Sequence, residues 1–576
     1  MMDEIAKYNK ERWKALAEAN ALFTRPALHL DPSREFGDFQ TPPSLVQNIL
    51  ERLSSSGETW SRALEPTCGR GNFIEGLLKL PTPPQEIQAI ELQDNYVQNA
   101  REWTKHSSST RVNVRQSNIF DLNFQKDLQW SERGRLLVVG NPPWVTNSEL
   151  GSLGSENLPL KSNIKNLKGI DARTGGSNFD IAEYIWLKLI EELASEQPVI
   201  ALLCKISVAR NVLQFAFDAH LPIAHASIYM INAKKWFGAA VEACLFCVEI
   251  GTGEPRYEAA VYQDLCATEP DFITGIVEKR LVADMKAYSL VASTDGVCPV
   301  TWRQGLKHDA ASVMELTYDS LNKLVNKLGE TVIVESEYLY PLLKSSDLYH
   351  GTNDNPKRAI IVTQKKLGED TYHLKQNAPL LWNYLTRHIN IFEQRKSSIY
   401  IERPSFAIFG VGEYSFAPYK IGISGFHKSP RFRAIGPING RPVMLDDTCY
   451  FIPCSTSKET AFLTSLLNDR VCLNLIKSMI FMDAKRPVTK KLLQRINLVS
   501  LFDLVDKQAL IKRATTELEL LEGTLKQEKA AWPSSMEDYL VEYFQNVGPT
   551  DAKKRVQAKR QVEQGDLFSE IATMIK

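Results

Sequence analysis

What most constrains this chain is an alternation that runs from residue 62 to residue 250. Short apolar runs at 62–65, 87–92, 112–116, 136–140, 199–204 and 244–250 are separated by stretches of helical periodicity, among them 71–80, 94–105 and 179–194. Strands that alternate with helices build a mostly parallel sheet covered on both faces. The expectation is an α/β chain with one doubly wound, Rossmann-like domain over 36–255. A helical arm over 1–35 precedes it, and a polar, proline-containing connector at 31–41 leads into a helix at about 43–53.

Past Gly251 the alternation fails. A helical connector is expected over 256–295, centred on 274–288, and then a second α/β domain over 296–500 with irregular strands, many aromatics and many turns. Residues 501–545 read as helical, with a long exposed helix at 507–531, and 546–576 form a basic tail. No internal repeat or low-complexity tract interrupts this order.

A length of 576 residues suits about three domains. Lys plus Arg and Asp plus Glu balance at 68 each, so any acidic partner must be met by local segregation of charge. The nine cysteines are scattered. Cys244 and Cys247 lie three apart in an apolar strand and so face opposite sides, which suits packing and not a zinc half-site; no metal is expected. The first 14 residues are charged, and no apolar run approaches the roughly 18 residues of a membrane span. A cytoplasmic, nucleoid-associated bacterial protein is expected.

The segment Leu64-Glu65-Pro66-Thr67-Cys68-Gly69-Arg70-Gly71-Asn72-Phe73 reads as a strand ending in an acid, then a glycine turn opening a helix. Gly69 and Gly71 let the backbone approach a ligand closely, and Glu65 can hold a cationic group at the strand's carboxyl end, where open α/β sheets bind ligands. A carboxylate beside the glycines favours the cationic methionine end of S-adenosylmethionine over a pyrophosphate. Glu91, 26 residues on, ends the next strand, where a carboxylate accepts ribose hydroxyls.

The buried run 136–140 leads directly into Asn141-Pro142-Pro143-Trp144. Two prolines stop the strand and fix the backbone. The Asn141 side-chain carbonyl and the Pro142 backbone carbonyl could accept hydrogen bonds from an aromatic amine such as adenine N6, whose delocalised lone pair makes it a poor nucleophile. Its nitrogen would be drawn towards tetrahedral geometry, facing the sulfonium methyl. Trp144 offers a flat face for a base rotated out of a duplex.

With these motifs in this order, the chain resembles the gamma-type amino-methyltransferases of DNA, the group of the TaqI methylase. The resemblance implies N6-adenine methylation with S-adenosylmethionine and a C-terminal target-recognition domain. It places Thr41 and Pro42, in Gly37-Asp38-Phe39-Gln40-Thr41-Pro42-Pro43, beside the methionine moiety. It places Phe179, with Asp180, at the adenine pocket, and Phe237 on the face of the flipped base opposite Trp144. Asn118, followed by Ile119, stands where the family has an aspartate that binds the cofactor's adenine amino group; an Asn carbonyl accepts the same bond, and Asp121 lies three residues too late for the pattern. The long segment 147–177 is expected to be mobile without DNA and to close over it.

From 391 to 436 there are seven Lys or Arg against three Asp or Glu, among Tyr400, Phe406, Phe409, Tyr414, Tyr419 and Phe426. Basic residues among aromatics suit phosphate positioning and base contact. Arg303, Lys307, Lys344, Arg403, Tyr414, Lys420, Lys428, Lys485 and Arg486 are the candidate contacts to double-stranded DNA. Gln564-Gly565-Asp566-Leu567-Phe568 resembles the pentapeptide that docks bacterial proteins on the replication sliding clamp, with Gly565 in place of the usual leucine; Leu567, Phe568 and Ile571 could equally pack back as a helix end.

Three rival functions remain open from sequence: N4-cytosine methylation, which uses the same geometry; protein glutamine methylation, which needs no second domain of this size; and a catalytically idle DNA-binding subunit. No fused nuclease motif is evident, so a restriction or phage-defence partner would be a separate chain.

Overall fold

A computed structural model describes residues 40–55, 57–102, 109–145, 180–352 and 357–522, which fall into two compact units divided near residue 272. The expected N-terminal arm, the segment 147–177, Phe179 and the clamp-like tail lie outside the described residues. Among the described residues, no helix is long and apolar enough to cross a membrane.

The first unit is built on strands β1 (Arg62–Glu65), β2 (Glu86–Glu91), β3 (Arg111–Gln116), β4 (Leu136–Gly140), β5 (Val199–Lys205), β6 (Ile223–Ile231), β7 (Ala243–Ile250) and β8 (Glu258–Tyr262). They lie in the order β3-β2-β1-β4-β5-β7-β6-β8. Only β7 runs against its neighbours, pairing antiparallel with β5 and β6. Side chains alternate across a strand, and here the alternation feeds two cores. Leu64, Val138, Ile200 and Leu202 pack on one face with α4 (Ile181–Leu193) and α5 (Ile206–Ala219). Ala63, Leu137, Val139, Ala201 and Leu203 pack on the other with α1 (Pro43–Ser54), α2 (Asn72–Leu78) and α3 (Asp94–Glu102). Both sides being apolar, the central strands read as continuous hydrophobic runs.

The chain moves outward from β1 through β2 to β3, then returns to place β4 on the other side of β1. Such a reversal opens a crevice at the strands' carboxyl ends. Glu65, Glu91 and the residues after Gly140 all meet it. Two strands of this sheet were not expected: β6, which precedes Gly251, and β8, which carries the sheet past it.

In the second unit, the stretch expected to be a helical connector is mostly extended: β9 (Phe272–Val277) and β10 (Arg280–Val282) form an antiparallel hairpin, and only α7 (Met285–Ser289) is helical. Glu278 and Lys279 turn that hairpin with positive φ, a requirement that helical periodicity does not reveal. One antiparallel sheet follows, in the order β11 (Arg303–Gln304), β19 (Cys449–Cys454), β16 (Tyr419–Ser424), β17 (Phe432–Ile435). A second sheet orders β13 (Leu324–Val325), β12 (Glu315–Tyr318), β15 (Arg358–Ile361), β14 (Leu339–Leu343) and β18 (Met444–Leu445). Helices α8 (Ser345–His350), α9 (Pro379–Arg387), α10 (Ser457–Leu467) and α11 (Arg470–Met479) complete this α/β unit. The helix expected to be exposed is α12 (Lys507–Glu522), and it is exposed on one side only. Leu510, Ala514 and Leu518, four apart, bury a stripe against α10.

Candidate active site

At the switch point between β1 and β4 lies a half-open pocket of about 970 Å³, a volume that includes the solvent at its mouth. Its wall includes Thr41, Glu65, Pro66, Gly69, Phe73, Glu91, Asn118, Ile119, Asn141 and Pro143, so most of the sequence-expected cofactor and catalytic positions meet in one place.

The glycine turn is held from both sides. Cys68 donates its amide to the Ile90 carbonyl at 2.8 Å, and Gly71 closes the turn by donating to the Cys68 carbonyl at 2.8 Å. Gly69 has φ +50°, a left-handed backbone that favours glycine, and the Gln40 amide lies where a Cβ would stand. Gly71, at φ 85°, is the N-cap of α2 and shapes the turn without lining the pocket. Pro42 likewise lies behind the wall; its carbonyl accepts the amides of Leu45 and Val46 at the start of α1. Thr41 is tied in through its carbonyl, which accepts Asn72 Nδ2 at 2.7 Å.

Glu65 is only 2% exposed, and its Oε2 is buried without a hydrogen-bond partner. Burial, and then the neighbouring Glu91 carboxylate, push its pKa well above the usual carboxylate range. An orphaned buried acid costs free energy that a cationic ligand would recover. The pocket therefore fits S-adenosylmethionine, whose cationic amino end would meet Glu65. Glu91 also has a task that its sequence position did not announce. Its Oε2 accepts the Gly69 amide and its Oε1 the amides of Leu92 and Gln93, each at 2.8 Å, so the carboxylate already organises the loop that ribose hydroxyls would join.

Asn118 lines the pocket and Asp121 does not. Asn118 Oδ1 accepts the Phe120 amide at 3.1 Å, an Asx turn that aims the segment. Sequence reasoning missed Ile90, Tyr96, Phe120, Ile181 and Ile185, which supply the apolar wall. They carry no motif; only their positions beside β2, β3 and the start of α4 could have pointed to them. Asp180 caps α4 by accepting the Ala182 amide at 3.1 Å and pairs with Lys205 at 2.8 Å, fixing the helix start against the end of β5.

Asn141 follows β4 immediately, and its carbonyl accepts Thr67 Oγ1 at 3.5 Å, linking the two strand ends. Trp144 is 6% exposed, and its indole N–H donates to the Leu203 carbonyl at 3.3 Å. Its ring meets Phe237, the last residue of α6 (Ala233–Phe237), edge to face at 5.2 Å and 72°. The structure thus brings these two aromatics together, but not as parallel walls. A base between them needs rings roughly 7 Å apart, twice the ~3.5 Å of a carbon contact.

The second unit separates the candidate DNA contacts. Lys420 is 1% exposed, its Nζ donating to the Ala417 carbonyl at 2.7 Å, so it does not reach a phosphate; it sits on an inward-facing position of β16. Lys344 is engaged with the buried Glu315 at 2.6 Å, which also pairs with Lys327 and the buried His308. Lys307 pairs with Asp309 at 3.5 Å. Arg303 stacks over Tyr414 at 4.4 Å and Arg486 over Phe426 at 4.9 Å. Arg403, Lys428 and Lys485 are exposed. Among the described residues, no group of His, Cys, Asp or Glu is arranged to hold a metal ion.

No family model matches the chain. It is 37% identical over 466 residues to Type II methyltransferase M.NspV of Nostoc sp. (strain ATCC 29411 / PCC 7524), a match that spans 81% of this chain and 96% of that protein. Its fold is similar to that of the Type IIL restriction-modification enzyme MmeI, solved in complex with DNA, with a TM-score of 0.52 and 11% identity over 90% of this chain and 80% of that one.

Proposed function

The chain belongs to the type II methyltransferases, and we propose that it is a gamma-type, site-specific enzyme that methylates N6 of a flipped-out adenine in double-stranded DNA. Its methyl donor is S-adenosylmethionine. The observation that carries the reading is the meeting of Glu65 and Asn141 in one pocket, at the ends of adjacent parallel strands.

Each residue has a task. When bound, the cofactor supplies an electrophilic methyl on a positively charged sulfur. Glu65 neutralises the cationic amino end, Glu91 and Asn118 orient the nucleoside, and Ile90, Ile119 and Ile185 enclose its adenine. The side-chain carbonyl of Asn141 and the backbone carbonyl of Pro142 accept hydrogen bonds from the target N6 amino group and aim its lone pair at the methyl. Held by these carbonyls, N6 would take the methyl that the cofactor supplies as the bond to sulfur breaks, and the extra proton would pass from the amine to solvent. No strong base is required, because orientation and charge placement supply the rate. Trp144 and Phe237 would stack on the flipped base once their edge-to-face contact opens.

The second unit would read the target sequence, with Arg303, Lys307, Arg403, Tyr414, Lys428, Lys485 and Arg486 as backbone and base contacts. A restriction or phage-defence nuclease would act as a separate chain. The test is transfer of radiolabelled methyl from S-adenosylmethionine to duplex DNA, followed by nucleoside chromatography. Label in N6-methyl-2′-deoxyadenosine supports the reading; label in N4-methyl-2′-deoxycytidine overturns the base assignment, and an unlabelled duplex overturns the DNA substrate.

A further inference from the structure

The loop between β16 and β17 surrounds Lys428 with residues that have no part in the reading above. His427 stacks on Tyr349, with ring centroids 3.9 Å apart and planes 7° from parallel. The stack is fixed in place. His427 Nδ1 is 2.6 Å from Ser424 Oγ, which also accepts the Phe426 amide at 3.2 Å. Arg433 donates to the carbonyls of Leu348 and Tyr349 at 2.8 and 3.2 Å, holding the end of α8. Gly425 approaches so closely that a Cβ would lie 2.8 Å from the Thr448 carbonyl.

Two guanidinium groups and a second imidazole surround this stack. Arg431 lies over the Tyr349 ring at 5.3 Å, His350 meets His427 edge to face at 6.3 Å, and Arg486 lies over Phe426 next to His427. Lys428, Arg431, His350 and Lys485 are exposed. Among the described residues, Lys428, Arg431 and Lys485 form no ion pair, while the nearby acids Asp347 and Asp447 are neutralised by Arg358 and Arg486 at 2.8 and 3.2 Å. Unpaired cations on a pre-ordered aromatic base lose little freedom when they bind a polyanion.

We propose that the β16–β17 loop, with Tyr349 and His350, is a docking surface for the DNA backbone, in which Lys428 and Arg431 each hold a phosphate and the Tyr349–His427 stack sets their spacing. With Nδ1 of His427 engaged by Ser424, Nε2 is the ring nitrogen left for a further polar contact. This rests on the DNA-methyltransferase reading and adds to it Tyr349, His350, His427 and Arg431.

The experiment measures binding of the full chain to a random-sequence 30-base-pair duplex by fluorescence anisotropy across a salt series. The variants are Lys428→Ala/Arg431→Ala and a charge-matched control, Arg111→Ala/Lys126→Ala, at exposed positions of the first unit. All four residues are exposed, so folding is unaffected. Each lost phosphate contact lowers the slope of log K against log salt by about 0.9, so the double variant should lose about 1.8 and the control nothing. On a substrate duplex the double variant should raise KM about tenfold with kcat unchanged. An unchanged slope with a wild-type chain that binds DNA overturns the docking surface and leaves the methyltransferase reading intact. A wild-type chain that does not bind duplex DNA overturns both.

Discussion

The carboxylate of Glu91 holds the amide of Gly69 at 2.8 Å, tying the end of β2 to the glycine turn after β1. The cofactor loop is thus organised by an acid on the neighbouring strand as well as by its own glycines. Replacing Glu91 by Gln puts an N–H₂ group against one of the amides that the carboxylate now serves. Charge-assisted hydrogen bonds of this kind are worth about 1.5–3 kcal/mol. Glu91→Gln should therefore weaken S-adenosylmethionine at least about tenfold by isothermal titration calorimetry, with far-ultraviolet circular dichroism unchanged.

Glu65 couples cofactor binding to protons. Its pKa in the folded protein is raised by burial and by Glu91, so the native state holds a proton that the unfolded chain loses first. Stability without cofactor then falls as pH rises from the ordinary carboxylate range through the raised value. Glu65→Gln should remove that fall and raise Tm at pH 8 while abolishing cofactor binding. In the unmutated protein, binding should release a proton, seen as a dependence of the calorimetric enthalpy on the buffer's ionisation enthalpy. A buffer-independent enthalpy would count against this coupling.

Much of this site was legible in the sequence because its parts are local. A strand ending in Glu65 before two glycines, and a strand followed by Asn141 and two prolines, each announce a strand end. The residues that complete the wall do not. Ile181 and Ile185 read as ordinary core positions of a helix, and Tyr96 as a helix-surface aromatic. The strand β6 was missed because Ile223–Ile231 mixes His225, Ser227 and Tyr229 into the run and is only partly buried. Lys420 read as a surface cation, yet Ile421 and Ile423 beside it on β16 are buried too, and strand alternation does not reveal a strand covered on both faces.

Lys420 offers a direct check of that correction. Burial lowers its pKa to about 7. The folded state thus binds fewer protons than the unfolded chain between pH 7 and the ordinary lysine value, and stability rises with pH across that window. Methionine fills a similar volume without the charge. Lys420→Met should raise Tm most at or below pH 7, with the gain shrinking towards pH 10, and should leave DNA affinity unchanged. A loss of DNA affinity would return Lys420 to the interface.

Phe237 separates base stacking from cofactor binding. It is half-buried on a short helix and does not line the pocket. Stacking of a base on an aromatic ring is worth about 1–3 kcal/mol. Phe237→Ala should slow methylation about tenfold or more with the Kd for S-adenosylmethionine unchanged. A parallel loss of cofactor affinity would place the ring in a different role.

The most direct measurement is single-molecule sequencing of modified bases in DNA from cells expressing the chain, beside cells expressing Asn141→Ala. N6-methyladenine at one recurring sequence, lost in the Asn141→Ala cells, is the predicted result. Identical marks in both, or none in either, would contradict it.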